Sequence, residues 1–231
     1  MTDALPAIEC LLFDLDGTLY PIANGYEQHC RNNLWTYMRT RLGVPAGREE
    51  DTWRPLFQKY NQSLRALKAG GLQIQEDEYW DCLRAGAEDY LRPDKQVRAL
   101  LESLPQEKWV FTNCNEKHAG HALHLLGIED CFRGVIGADT MRESCKPEGK
   151  AFELALQRCS ADPYRTAMIE DSVKNLRTAK ALGMTTVLVA SATTHEEGAT
   201  SKLTVQQSRK AVPQLFGRDH DAPGTWQASA H

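Results

Sequence analysis

The sequence has no C-x-x-C pair, no hydrophobic run of membrane-helix length, no marked excess of one charge and no internal repeat. Each absence removes a class of function. Its seven cysteines (Cys10, Cys30, Cys82, Cys114, Cys131, Cys145 and Cys159) form an odd set without the spacing of a disulfide framework or a thiolate zinc site. Reduced thiols in the cytosol are the expectation. A membrane helix takes about 20 apolar residues in a row, and without one no membrane partner is expected. Lys and Arg number 27 against 31 Asp and Glu, a net charge of −4. That balance supplies no electrostatic case for a nucleic-acid polymer or an anionic bilayer. Residues 1–7 lack the basic opening and apolar stretch of a secretory signal, which again points to a cytoplasmic location. What is present is ordinary: 231 residues, 42% hydrophobic and 25% charged, enough to bury a core without staples.

Two regimes divide the chain. Short apolar runs at residues 8–13, 108–112, 134–136, 166–169 and 185–189 read as strands, and the later ones alternate with helical patterns at 117–126, 147–159 and 172–182. This alternation predicts an α/β fold with a parallel sheet covered by helices on both faces. Gly127 and Gly183 stand where left-handed helix caps belong, and Pro147 reads as a first-turn proline. Residues 20–92 are different. Their aromatics and aliphatics recur at helical spacing with no strand between, which predicts three or four helices inserted after the first strand, too long a segment for a loop. The expected organisation is a discontinuous core (1–19 and 93–216, re-entered through a helix at 95–103), a helical domain (20–92) and a frayed tail (217–231).

Polar residues at the strand ends carry the chemistry. The first strand runs into Asp14-Leu15-Asp16-Gly17-Thr18, the second into Thr112-Asn113, and the fourth into Glu170-Asp171-Ser172; Lys146-Pro147 precedes a helix. Open parallel sheets bind ligands at the carboxyl ends of their strands. An extended i, i+2 pair puts Asp14 and Asp16 on one side, and like charges so close need a cation or a shared proton. Thr112 and Asn113 offer neutral donors to an anion, Lys146 offers a positive charge near a helix N-terminus, and Glu170-Asp171 offers oxygen ligands suited to a hard cation. Alone, each also fits an Asx turn, a helix cap or ordinary surface. Together, in order along one sheet edge, they supply a nucleophile, an acid/base, an anion site and a cation site. His118, His121 and His124 share a helix, but no acid or thiol at matching spacing makes them a metal site, and they read as helix surface.

These four motifs resemble those of the haloacid dehalogenase superfamily of phosphohydrolases: Asp14-x-Asp16-x-Thr18, Thr112, Lys146 and Glu170-Asp171, over about residues 8–190. The segments at 71–75, 111–119, 126–132 and 145–147 are similar to the pyrimidine 5′-nucleotidase-like branch of fungi and plants. The resemblance implies a Rossmann-like core with an all-helical cap and a small phosphorylated metabolite as substrate; a monomer or small homo-oligomer is the expectation for assembly. Asp14 would attack phosphorus, and Asp16 would protonate the leaving oxygen and later activate water. Thr112, Asn113 and Lys146 would hold the phosphoryl oxygens. Mg²⁺ would sit on Asp14, the Asp16 carbonyl, Asp171 and Glu170. Nucleoside 5′-monophosphates, UMP or CMP, are the implied substrates; pyridoxal phosphate, a flavin mononucleotide or a sugar phosphate are alternatives, and a catalytically idle phosphate-binding module is a further one. Asp16 and the metal ligands are superfluous for carbon–halogen hydrolysis, so dehalogenation is not expected. Phosphonate cleavage would need a lysine such as Lys59 or Lys68. Relatives usually carry a Gly-Thr-Thr-like segment near Tyr60, where this chain has Asn61-Gln62-Ser63; Tyr60, Asn61 and Arg65, then Asn24 and Tyr26, are the expected substrate contacts.

Overall fold

The computed structural model describes residues 7–189; the expected tail at 217–231 and the end of the core lie outside them. Five parallel strands, β1 (Cys10–Phe13), β2 (Glu107–Phe111), β3 (Gly134–Ile136), β4 (Thr166–Glu170) and β5 (Thr185–Leu188), lie in the order β3-β2-β1-β4-β5. Every strand falls on an apolar run expected from sequence, with ends within two residues. In the central strand, Leu11 and Leu12 are completely buried on opposite faces. Leu11 and Phe13 join a cluster with Val110, Ile169 and Leu123. Leu12 packs with Phe111, Phe152 and Met168 on the other face. Each such side chain contributes about 1.5–3 kcal/mol of burial, which makes β1 a rigid mount for whatever follows it.

Four α-helices follow β1 before the chain returns to the sheet: α1 (Tyr26–Arg41), α2 (Glu49–Tyr60), α3 (Ser63–Ala69) and α4 (Glu76–Arg84). Their apolar sides (Tyr26, Leu34, Met38, Trp53 and Leu67 among them) continue the cluster that begins at Leu11. The chain returns through α5 (Lys95–Ser103), whose first turn is capped by Asp94, accepting from the Gln96 and Val97 backbone N–H groups. Then follow α6 (Glu116–Leu125), α7 (Ala138–Met141), α8 (Gly149–Cys159) and α9 (Val173–Ala181). Gly127 and Gly183 do adopt positive φ just past α6 and α9.

Pro147 is not a first-turn residue. Helix α8 begins at Gly149, and Cys145–Glu148 closes a turn around a cis Lys146–Pro147 peptide, with the Glu148 N–H donating to the Cys145 carbonyl at 2.8 Å.

Register puts Phe13 beside both Val110 and Ile169, so β1, β2 and β4 end at one level. The chain turns from the β2–β3 side to the β4–β5 side across β1, which makes the β1/β4 boundary the switch point where such sheets bind ligands. Gly17 is fitted to that boundary: φ is +84°, and a Cβ there would lie 2.3 Å from Asp171 Oδ2. Gly17→Ala is expected to cost at least about 1–2 kcal/mol from backbone conformation alone, about 2–8 °C in Tm for a chain of this size. Thermal denaturation measures it; an unchanged melt would contradict this reading of the turn.

Candidate active site

Asp14 immediately follows β1 and is buried. Its Oδ1 accepts from Lys146 Nζ at 2.6 Å; the same ammonium donates to Glu170 Oε2 at 2.8 Å and to the Phe111 carbonyl at 2.7 Å. All three N–H bonds of Lys146 are thus used, at 2% exposure. Asn113 positions this lysine: its Oδ1 accepts from the Lys146 backbone N–H at 2.8 Å, and its Nδ2 donates to the Lys146 carbonyl at 3.0 Å. The side chain expected to bind phosphate is therefore engaged as a strut. Thr112 is buried beside it and accepts from the Cys114 N–H at 3.1 Å, which leaves its hydroxyl hydrogen to donate.

At the end of β4, Glu170 accepts from Lys146, from Asn175 Nδ2 at 3.0 Å and from the Ser172 N–H at 3.1 Å. Ser172 is the N-cap of α9 but makes no side-chain cap, so capping does not account for the acid pair. Asp14, Glu170 and Asp171 each place a carboxylate oxygen within 4.8 Å of the others. Three carboxylates face one ammonium. Burial, then the Glu170 charge, pushes Asp14 well above the usual carboxylate range, while burial and hydrogen bonding to Glu170 push Asp171 up to about 7. Hard oxygen donors in negative excess fit a divalent cation such as Mg²⁺.

Asp16 lines the same cavity but is differently held. Arg84, the last residue of α4, grips its carboxylate with two bonds, 2.7 Å to Oδ1 and 2.9 Å to Oδ2, and the Tyr20 hydroxyl donates to Oδ1. Burial alone would raise the Asp16 pKa; the Arg84 charge and these bonds reverse that and lower it.

The cavity containing Asp14, Asp16, Thr112, Lys146 and Asp171 measures about 410 Å³, within the range of small-molecule sites. A model of the haloacid dehalogenase-like hydrolases matches residues 8–183. The chain belongs to that family. Phosphate metabolism protein 8 of Saccharomyces cerevisiae is 28% identical over 205 residues, 80% of this chain; the match spans only 62% of the yeast protein. A phosphoglycolate phosphatase of Chromobacterium violaceum is also 28% identical, over 80% of this chain and 86% of its own. Among solved structures, a HAD phosphatase of Thermococcus onnurineus superposes with a TM-score of 0.62 at 20% identity, covering 91% of this chain and 100% of that one. An L-2-haloacid dehalogenase of Xanthobacter autotrophicus gives 0.52 at 18% identity, covering 91% and 84%. These likenesses extend the fold.

In this hydrolase several expected substrate contacts lie elsewhere. Asn61 lines the cavity, in a left-handed conformation, but Tyr60 and Arg65 do not. Arg65 Nη1 bonds Glu148 Oε1 at 2.6 Å and Cys145 Sγ at 2.7 Å, and the Tyr60 carbonyl accepts from the Cys145 thiol at 3.2 Å. Both residues fasten the helical insertion to the turn carrying Lys146. Tyr26 is buried, with its hydroxyl on the Arg84 carbonyl at 3.0 Å, and Asn24 caps the Tyr26 N–H; each supports α1. Neither Lys59 nor Lys68 lines the cavity. His118 pairs with Asp81 and Asn115, His124 with Glu129, and no metal cluster includes a histidine among the described residues. Burial pushes the Cys114 thiol up to about 12, which makes it unreactive.

Sequence reasoning missed Arg84, Tyr20 and Asn175. Asn175 was detectable, as a polar residue on the first turn after the acid pair. Arg84 carried no spacing signal, because only the return of α4 across the fold brings it 68 positions back to Asp16.

Proposed function

We propose that this hydrolase is a Mg²⁺-dependent phosphomonoesterase acting through an aspartyl-phosphate on Asp14, with nucleoside 5′-monophosphates, UMP and CMP foremost, as substrates, in the manner of the pyrimidine 5′-nucleotidase-like branch. The observation that carries this reading is the gathering of buried Asp14, Lys146 and Glu170 with half-buried Asp171 in one cluster, with Asp16 on the same cavity wall. Residues 20–92 act as a cap over that cavity, tied to the core by Gln62 Nε2 on the Asn113 carbonyl at 2.8 Å, Arg65 on Glu148, and Lys174 on Asn61 at 2.7 Å. The setting is cytoplasmic and the substrate a small metabolite.

Asp14 attacks phosphorus and expels the ester oxygen. Lys146 holds the attacking carboxylate in place and offsets its charge as the anionic phosphoryl group approaches. Thr112 donates its hydroxyl to a phosphoryl oxygen. Asp16, whose pKa is held down by Arg84 and Tyr20, is suited as a carboxylate to take a proton from the water cleaving the intermediate. The first half-reaction needs Asp16 protonated, and therefore needs Arg84 to release it as substrate enters. Asp14, Glu170 and Asp171 would hold Mg²⁺, which would offset the repulsion between carboxylate and phosphate.

Phosphate release from a panel of esters tests the reading, with sugar phosphates, pyridoxal phosphate, flavin mononucleotide and phosphoglycolate beside the nucleotides. Turnover is expected with Mg²⁺ and is expected to vanish with chelator. Mg²⁺ at 100 times its Kd should also raise stability by about 2.7 kcal/mol, read as a higher Tm, and Asp171→Ala should abolish that rise. Hydrolysis undiminished by chelator would exclude the metal; binding without hydrolysis would favour the idle module.

A further inference from the structure

Helices α1 and α2 flank a second hollow, of about 580 Å³, and Ile22, Glu27, Arg31 and Phe57 line both it and the cavity that holds Asp14. The wall between them is built on stacked rings. Phe57 lies on Trp53 with centroids 4.4 Å apart and planes 22° from parallel, and Trp53 meets Trp35 edge-on at 5.5 Å. Trp53 is immobilised: it is buried, donates from Nε1 to Ser63 Oγ at 3.0 Å, and carries the Arg31 guanidinium 4.1 Å above its ring. Phe57 is only half-buried. Across from it, on α9, the Lys174 ammonium stands 5.8 Å from the Phe57 ring centroid. Phe57 packs against the core on one side and leaves its outer edge on the wall of the reacting cavity.

We propose that Phe57, backed by Trp53 and bordered by Arg31 and Lys174, is a platform for a planar heterocycle in the leaving group, so that the preferred esters are those whose alcohol carries a flat ring. This deepens the phosphomonoesterase reading and rests on it. Stacking on an aromatic side chain is indifferent to ring identity, because every heterocycle has a π-face. The two cations add a preference for rings with carbonyl oxygens, which accept from guanidinium and ammonium N–H groups. Glu27, on the same wall, disfavours a second anionic group at that end.

Two pairs of esters test the platform. UMP and ribose 5-phosphate share the reacting end and differ by the base; benzyl phosphate and cyclohexylmethyl phosphate differ in ring flatness. The flat-ring member of each pair should have a kcat/KM higher by ~10-fold or more. Phe57→Leu should raise KM for the flat-ring esters by ~10-fold, with a loss of ~3-fold or less for ribose 5-phosphate, which also reports that the variant folds. Phe57→Tyr should restore the preference. Equal turnover within both pairs, or one common loss for every ester in Phe57→Leu, would overturn the platform and leave the phosphomonoesterase standing. Turnover of benzyl phosphate that depends on Phe57, without turnover of UMP, would keep the platform and remove the nucleotide. Turnover of neither flat-ring ester would overturn it as well.

Discussion

Asp14→Asn is expected to lower phosphate release from every ester by ~10⁴-fold or more while leaving the fold intact. The amide is nearly isosteric with the carboxylate and has no anionic oxygen to attack phosphorus. Stability should hold or rise, because Asp14 sits beside Glu170 and burial already disfavours its charge. Lys146 keeps two partners in the variant, Glu170 and the Phe111 carbonyl. Initial rates and a thermal melt check both halves. A variant with more than a few per cent of parent activity would take the nucleophile's role away from Asp14.

Lys146→Met is expected to destabilise the chain by about 3–5 kcal/mol and to abolish activity. Methionine matches the length of the lysine stem, so packing is largely kept and the loss isolates the charge. Without it, Asp14 and Glu170 remain buried, facing each other with no cation, and the Phe111 carbonyl loses its donor. For a chain of this size the drop corresponds to about 6–20 °C in Tm. Mg²⁺ should recover part of it, since a divalent ion on Asp14, Glu170 and Asp171 supplies the missing positive charge. A melt indifferent to the substitution would mean that the ammonium does not hold the cluster together; a drop that Mg²⁺ leaves untouched would mean that the carboxylates do not take the ion.

The core was legible in the sequence because its signals are local. A buried strand such as Cys10–Phe13 is a short apolar block, and the residues after each strand must be at the sheet edge once the strands are parallel. That alone sets Asp14, Thr112 and Glu170 at one level. The side-chain roles there were less legible. Asn113 lines the cavity but spends its amide on the Lys146 backbone, which depends on the turn at Cys145–Glu148. Helical period gives the existence of α1 to α4 but not their mutual packing, so Tyr60 and Arg65, which flank Asn61-Gln62-Ser63, fasten the insertion to the core instead of lining the cavity. Arg84 and Phe57 reach the cavity only through the antiparallel return of those helices, and nothing in their immediate neighbours marks them.

The most direct measurement is to trap the acyl phosphate. Enzyme quenched in acid during turnover, reduced with borohydride and digested, should contain homoserine in place of aspartate at position 14, in amounts that depend on substrate and disappear in Asp14→Asn. Homoserine at another position, or none from an enzyme caught while releasing phosphate, would contradict covalent catalysis by Asp14.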